Sequence, residues 1–130
     1  TLIKVDYSLL LTFLFLFIFI GNLGTIEKVN SFLSTNVIGN EILCSVLLSQ
    51  IFSNMPATVL LSNFTENAKA LLVGVNLGGL GTLIASMASL ISFKLFSREK
   101  LNSKKYFLIF TSVSLFFLAA NLLLRYFLNK

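Results

Sequence analysis

The chain has 130 residues, of which 56% are apolar and only 12% are charged, and its mean hydropathy is +0.91. A soluble domain carries charge on about a quarter of its residues, so this composition excludes an ordinary soluble fold. The one cysteine excludes an intrachain disulfide framework. The net charge of +5 predicts no nucleic-acid partner, because the basic residues lie at the ends of apolar segments.

Four uncharged windows of 20, 24, 24 and 19 residues dominate the chain. They lie between the charged pairs Asp6/Glu27, Glu41/Glu66, Lys69/Lys94 and Lys105/Arg125. A helix needs roughly 20 residues to cross a ~30 Å hydrocarbon core. The sequence therefore predicts an all-α polytopic membrane protein, with residues 1–130 forming a single membrane domain in the lipid bilayer. Windows one and four are continuous and predict transmembrane helices over 7–26 and 106–127.

The second window is interrupted by Ser53-Asn54-Met55-Pro56. Proline removes a backbone donor and disfavours a helical conformation at the preceding residue. Serine and asparagine favour turns and caps. We expect helices over about 41–52 and 56–63, separated by an irregular turn that includes Met55.

The third window is interrupted between Asn76 and Thr82, where three of four residues are glycine. Glycine adopts backbone conformations that other residues avoid. This pattern predicts helices over about 67–75 and 82–97 with an unwound stretch between them. The small residues Gly81, Ala85 and Ser89 recur every four positions, a spacing that lets a second helix approach closely.

Irregular backbone at membrane depth survives only where it is buried in protein or lines a wet cavity. In transporters, the N-termini of half-helices bind anions, and unwound carbonyls with polar side chains bind cations. The two breaks therefore predict a substrate site near the midplane. The alternative is a pair of kinks that only shape packing.

The stretch "SNMPAT", followed by "NLGGLGT" and then "AS", resembles the C-terminal half of the ion transporter superfamily. The resemblance covers residues 7–127 and is closest to the branch of arsenite permeases, Na⁺/H⁺-antiporter-like proteins and citrate-type permeases. It implies one of two inverted repeats, with a re-entrant helical hairpin at 41–63 and a discontinuous transmembrane helix at 67–97. The implied hairpin-tip residues are Ser53, Asn54, Pro56, Ala57 and Thr58. Those implied for the unwound stretch are Asn76, Gly78, Gly79, Gly81, Thr82 and Ser86.

Only one repeat is present, so the resemblance implies that the partner is a missing N-terminal repeat of the same protein. The start at Thr1, not Met, also favours a piece of a longer chain. The implied function is secondary active transport of a small inorganic or organic anion, arsenite- or citrate-type, coupled to Na⁺ or H⁺. A homodimer is compatible with this interpretation. The alternative function is that of a small self-associating membrane assembly or channel-forming protein. No cofactor and no resident metal is expected.

Enzymatic chemistry is not expected, because the sequence holds no histidine and no H-E-x-x-H motif. Its five acidic residues all lie at segment ends, so a proton relay would need groups from elsewhere. Basic loops stay cytoplasmic. We therefore expect loop 97–105 in the cytoplasm, the C-terminus outside, and the chain in the cell (inner) membrane.

Overall fold

The computed structural model describes residues 5–98 and 102–129, and within these ranges every regular element is helical. A short 3₁₀ turn, Leu83–Ala85, precedes the sixth α-helix. The helices are α1 (Tyr7–Leu23), α2 (Glu27–Asn36), α3 (Glu41–Phe52), α4 (Asn54–Leu61), α5 (Ala68–Gly78), α6 (Met87–Arg98) and α7 (Ser103–Leu128).

Helix α1 begins where the Asp6 carboxylate accepts the N–H of Leu9 at 3.1 Å. It ends at Leu23, before the predicted end at residue 26, and the chain then bends by 83° into α2. The sequence interpretation did not include α2. Its apolar residues Val29 and Leu33, with Val37 just beyond its end, lie four apart and pack on the core.

Among the described residues, α7 is the one helix long and apolar enough to cross a membrane, and the bent pair α1–α2 passes the same test together. Helix α7 begins three residues before the predicted segment 106–127 and ends one residue after it. The number of membrane crossings stays a prediction. Residues 99–101 of the basic loop lie outside the described residues.

Helices α3 and α4 fold back on each other as a hairpin. The hydroxyl of Thr65, just after α4, donates to a carboxylate oxygen of Glu41 at the start of α3, over 3.4 Å. One straight helix would separate two residues 24 positions apart by about 36 Å. Both ends of the hairpin therefore lie on the same side of the molecule.

Helix α5 packs closely against α3 because small residues face each other. A Cβ added at Gly74 would lie 2.6 Å from Ser45 Cβ, and one added at Gly78 would lie 2.6 Å from Ser49 Oγ. These are two small-xxx-small pairs, which bring helix backbones together. Around this contact the buried core consists of Ile20, Leu33, Val37, Leu60, Leu61, Leu71 and Val75.

The second interruption lies later in the chain than expected. Helix α5 continues through Asn76 to Gly78, and α6 begins at Met87 instead of about residue 82. Gly81 and Ala85 therefore lie outside α6, whereas Ser89 lies inside it. The prediction that these three residues form one helical packing stripe is wrong, because the irregular stretch 79–82 and the 3₁₀ turn break the four-residue periodicity.

Candidate functional site

Ser53 forms the tip of the hairpin in a strained conformation. Its φ of 73° and ψ of 152° lie in a region that is almost exclusive to glycine and costs about 1–3 kcal/mol. In the described part of the chain it is the only residue other than glycine with positive φ. The side chain is 1% exposed, and its hydroxyl has no hydrogen-bond partner. A buried hydroxyl without a partner costs a further ~1–3 kcal/mol.

Helix α4 begins immediately after Ser53. Pro56 lies in its first turn, where the missing N–H costs little because the first amides of a helix have no partner inside it. Met55 is helical, so the expectation that proline would keep it out of the helix is wrong. Ala57 and Pro56 are buried, and the Thr58 hydroxyl donates to the carbonyl of Asn54 at 2.7 Å.

The second break combines one left-handed glycine with extended residues. Gly81 has φ of +117°, whereas Gly79 has an ordinary helical φ of −65°. Thr82 and Ser86 are extended on either side of the 3₁₀ turn. Conformational freedom therefore explains glycine at 81 alone, while Gly78 is explained by its contact with Ser49.

Gln50 of α3 ties the second break to the hairpin. Its amide nitrogen donates to the carbonyls of Gly78 at 2.8 Å and Leu80 at 3.1 Å. It also lies 3.2 Å from the carbonyl of Val46, one turn earlier in α3. The amide oxygen accepts the N–H of Thr82 at 3.0 Å, and the Gln50 carbonyl accepts the Thr82 hydroxyl at 3.3 Å. The two interrupted segments are thus in direct contact.

Asn54 lies at the junction between the two breaks. A Cβ added at Gly79 would lie 3.1 Å from the Asn54 side-chain nitrogen. Asn76, by contrast, is exposed on α5 and donates to the carbonyl of Leu72 in its own helix at 2.8 Å. The structure therefore brings Ser53, Asn54 and the stretch from Gly78 to Thr82 together, while the Asn76 amide bonds within α5.

The ion pairs in the described part of the chain join Asp6, just before α1, to α6. At the start of α1, the Asp6 carboxylate pairs with Lys94, and Arg98 of α6 lies 3.6 Å away. The hydrogen bond from Lys94 and that from the Leu9 backbone lower the pKa of Asp6. The bond between Thr65 and Glu41 joins the segment after α4 to the start of α3. The junction itself is composed of backbone groups, hydroxyls and amides.

Sequence reasoning missed Gln50 and the small-residue contact between α3 and α5. The spacing of Ser45 with Ser49, and of Gly74 with Gly78, was a signal for the second. No comparable signal existed for Gln50, because one glutamine in a helix looks the same whether or not it reaches another segment.

The sequence is similar to two membrane proteins. It is 52% identical over 95 residues to an uncharacterized transporter of Methanocaldococcus jannaschii, and 34% identical over 101 residues to the inner membrane protein YbiR of Escherichia coli K12. Each alignment covers 72% of this chain and 26% of the relative, so the chain spans about a quarter of their length. No family model and no solved structure matches. One relative is thus named as a transporter and the other as an inner membrane protein.

Proposed function

We propose that the two breaks form the substrate site of a secondary active transporter for a small inorganic or organic anion, arsenite- or citrate-type, with Na⁺ or H⁺ as the coupling ion. The observation that carries this proposal is Ser53. It has a strained backbone and a buried, unpaired hydroxyl at the start of a half-helix. Both features cost stability, and such costs concentrate at binding sites.

The start of α4 suits an oxygen-rich ligand. The first N–H groups of a helix lack internal partners and carry the positive end of the helix dipole. Ser53 and Asn54 add a hydroxyl and an amide at the same place. An anion such as citrate, or neutral arsenite with its oxygens, can accept hydrogen bonds from these donors.

The two ends of the molecule support an orientation in the membrane. Asp6 and Lys94 place the start of α1 beside the end of α6, on the side where the basic loop begins. If that side is cytoplasmic, the hairpin α3–α4 enters from outside and returns, the segment α5–α6 crosses as a broken helix, and α7 crosses outward. This topology makes the hairpin re-entrant and leaves the C-terminus outside.

One repeat supplies half of a site between two repeats, so the partner in this proposal is an N-terminal repeat of the same protein. The length of the two relatives, about four times the region aligned, supports such a partner. A homodimer of the complete protein is compatible with it. Coupling to protons would need a carboxylate or histidine from the other repeat, because the acidic residues here lie at segment ends.

The test is uptake by the complete gene product that contains this chain, reconstituted in lipid vesicles. Radiolabelled arsenite and citrate are supplied under Na⁺ or pH gradients. We expect saturable uptake of at least one of them that depends on one gradient. If neither arsenite nor citrate is taken up under a Na⁺ gradient or a pH gradient, the proposal is contradicted.

Residues 1–130 alone, reconstituted at equal protein density, serve as the control. We expect no saturable flux from this piece, because it holds one repeat. Substrate-specific flux from it alone would instead support the self-associating channel.

A further inference from the structure

The side chain of Gln50 bonds to backbone groups on both sides of Gly79. Its amide nitrogen donates to the carbonyls of Gly78 and Leu80, and its amide oxygen accepts the N–H of Thr82. These partners determine the orientation of the amide, because the reverse orientation would set its oxygen against two carbonyls. A Cβ on Gly81 would lie 2.5 Å from the amide oxygen, so the glycine leaves room for this contact.

The Gln50 amide replaces the next turn of α5. The last carbonyls of a helix have no partner inside the helix. Nearby amides satisfy two of them, since Gly79 N–H bonds to Val75 and Leu80 N–H bonds to Leu77. In a continuing helix, later N–H groups would bond to the carbonyls of Gly78 and Leu80. Here the Gln50 amide nitrogen donates to both carbonyls instead. Where the backbone is buried away from water, these carbonyls would otherwise stay without a partner.

We propose that Gln50 is a positioning residue that holds the second break in fixed register against the hairpin tip, so that the two breaks act as one unit. The consequence for binding rests on the proposed function. Gln50 donates to the carbonyls of Gly78 and Leu80, whereas the first N–H groups of α4 stay available to a ligand.

The variant Gln50→Glu makes this contact depend on pH. A protonated glutamic acid has nearly the shape of glutamine, can donate its O–H to one carbonyl and can still accept from Thr82. An ionised glutamate cannot donate and is repelled by the carbonyls of Gly78 and Leu80. The described groups that contact this side chain are backbone carbonyls and an N–H, none of which titrates.

The experiment is hydrogen exchange, read by mass spectrometry over residues 79–83, on the complete gene product in lipid nanodiscs between pH 5 and 9. We expect Gln50→Leu to lose roughly five- to tenfold protection at Thr82 at every pH, because it removes the acceptor of the Thr82 N–H. Wild-type protection, corrected for intrinsic exchange, stays level, and that of Gln50→Leu stays low throughout. The matched control is Asn121→Leu, which removes an amide that donates to the carbonyl of Phe117 in its own helix. It should match wild type.

Thr82 exchange in Gln50→Leu that matches exchange in wild type overturns the proposal. A second readout is the KM for arsenite or citrate uptake, relative to wild type at each pH. It should rise in Gln50→Glu as the glutamate ionises and stops donating to Gly78 and Leu80, while the amount of inserted protein stays constant. A KM that stays level with pH in Gln50→Glu, beside lost Thr82 protection in Gln50→Leu, reduces Gln50 to structural support and also overturns the positioning role. Absence of uptake by wild type contradicts the proposed function, and the exchange measurement then decides the contact between the two breaks by itself.

Discussion

The close contact between α3 and α5 predicts that Gly78→Ala destabilises the protein. The new methyl carbon would lie 2.6 Å from Ser49 Oγ and 2.7 Å from Ser49 Cβ, whereas carbon contacts are favourable near 3.5–4.0 Å. Overpacking of this kind costs about 1–3 kcal/mol. Alanine recovers up to ~1 kcal/mol of helix propensity. With the full recovery, the net loss is up to about 2 kcal/mol.

The chain contains its own reporter for this measurement. Cys44 is half-buried in α3 and is the only cysteine. Its reaction with a thiol-sensitive dye during heating in detergent should report when α3 separates from its neighbours. Gly78→Ala should lower the midpoint. Gly21→Ala should not lower it, because a Cβ at Gly21 meets nothing within 4 Å.

A compensating change tests whether overpacking against Ser49 causes the loss of stability. Ser49→Gly removes the atoms that the new methyl group would meet, so the double variant should recover most of the loss caused by Gly78→Ala. The coupling energy should be about 1–2 kcal/mol, within the range for residues in contact. If the two changes add to within ~0.5 kcal/mol, the close approach of the helices is not what makes glycine necessary at this position.

Three further predictions address the hairpin and the ion pair. In a Cys44→Ser background, cysteines at Lys28 and Glu66 should both react with an impermeant reagent in intact cells, and labelling of only one would show a spanning segment. Ser53→Gly should relieve the strain of a positive φ, which raises the free energy of unfolding by up to about 1–3 kcal/mol and so raises the melting midpoint. It should also weaken substrate uptake. A lower melting midpoint would contradict the strain at Ser53. The contact with Lys94 lowers the pKa of Asp6 in the folded protein. The stability that this carboxylate contributes is therefore present above the pKa of Asp6 in the unfolded chain, and it is lost as the pH falls through the lower pKa of the folded protein. Stability of Asp6→Asn should therefore be less sensitive to pH in that acidic window than wild type, and identical slopes would contradict this.

The first break could be predicted because its residues have strong local preferences. Pro56 cannot continue a helix from α3, and Asn54 and Ser53 favour caps and turns. The unusual φ of Ser53 could not be predicted, because nothing local requires a serine to adopt a conformation suited to glycine. That conformation depends on how α3 and α4 pack.

The second break was placed too early because glycine permits a helix as well as an unwound chain. Asn76 and Gly78 stay helical since α5 packs on α3 through small residues, a tertiary effect that outweighs local propensity. The unwound stretch is instead located by Gln50, 28 to 32 positions earlier in the chain. Contacts over such separations are invisible to local patterns.

The central claim is that the two breaks together hold the substrate, and substrate affinity tests it most directly. Asn54→Ala removes the side-chain amide at the junction. Gly79→Val displaces the same amide, because a Cβ at position 79 would already lie 3.1 Å from the Asn54 side-chain nitrogen. In vesicles containing the complete gene product, both should weaken arsenite or citrate uptake by about two- to hundredfold in apparent affinity, the value of one lost hydrogen bond. Asn121→Ala and Gly21→Val, matched changes far from the junction, should behave as wild type at equal inserted protein. If Asn54→Ala and Gly79→Val also match wild type in capacity and affinity, the breaks are packing kinks and the site assignment is wrong.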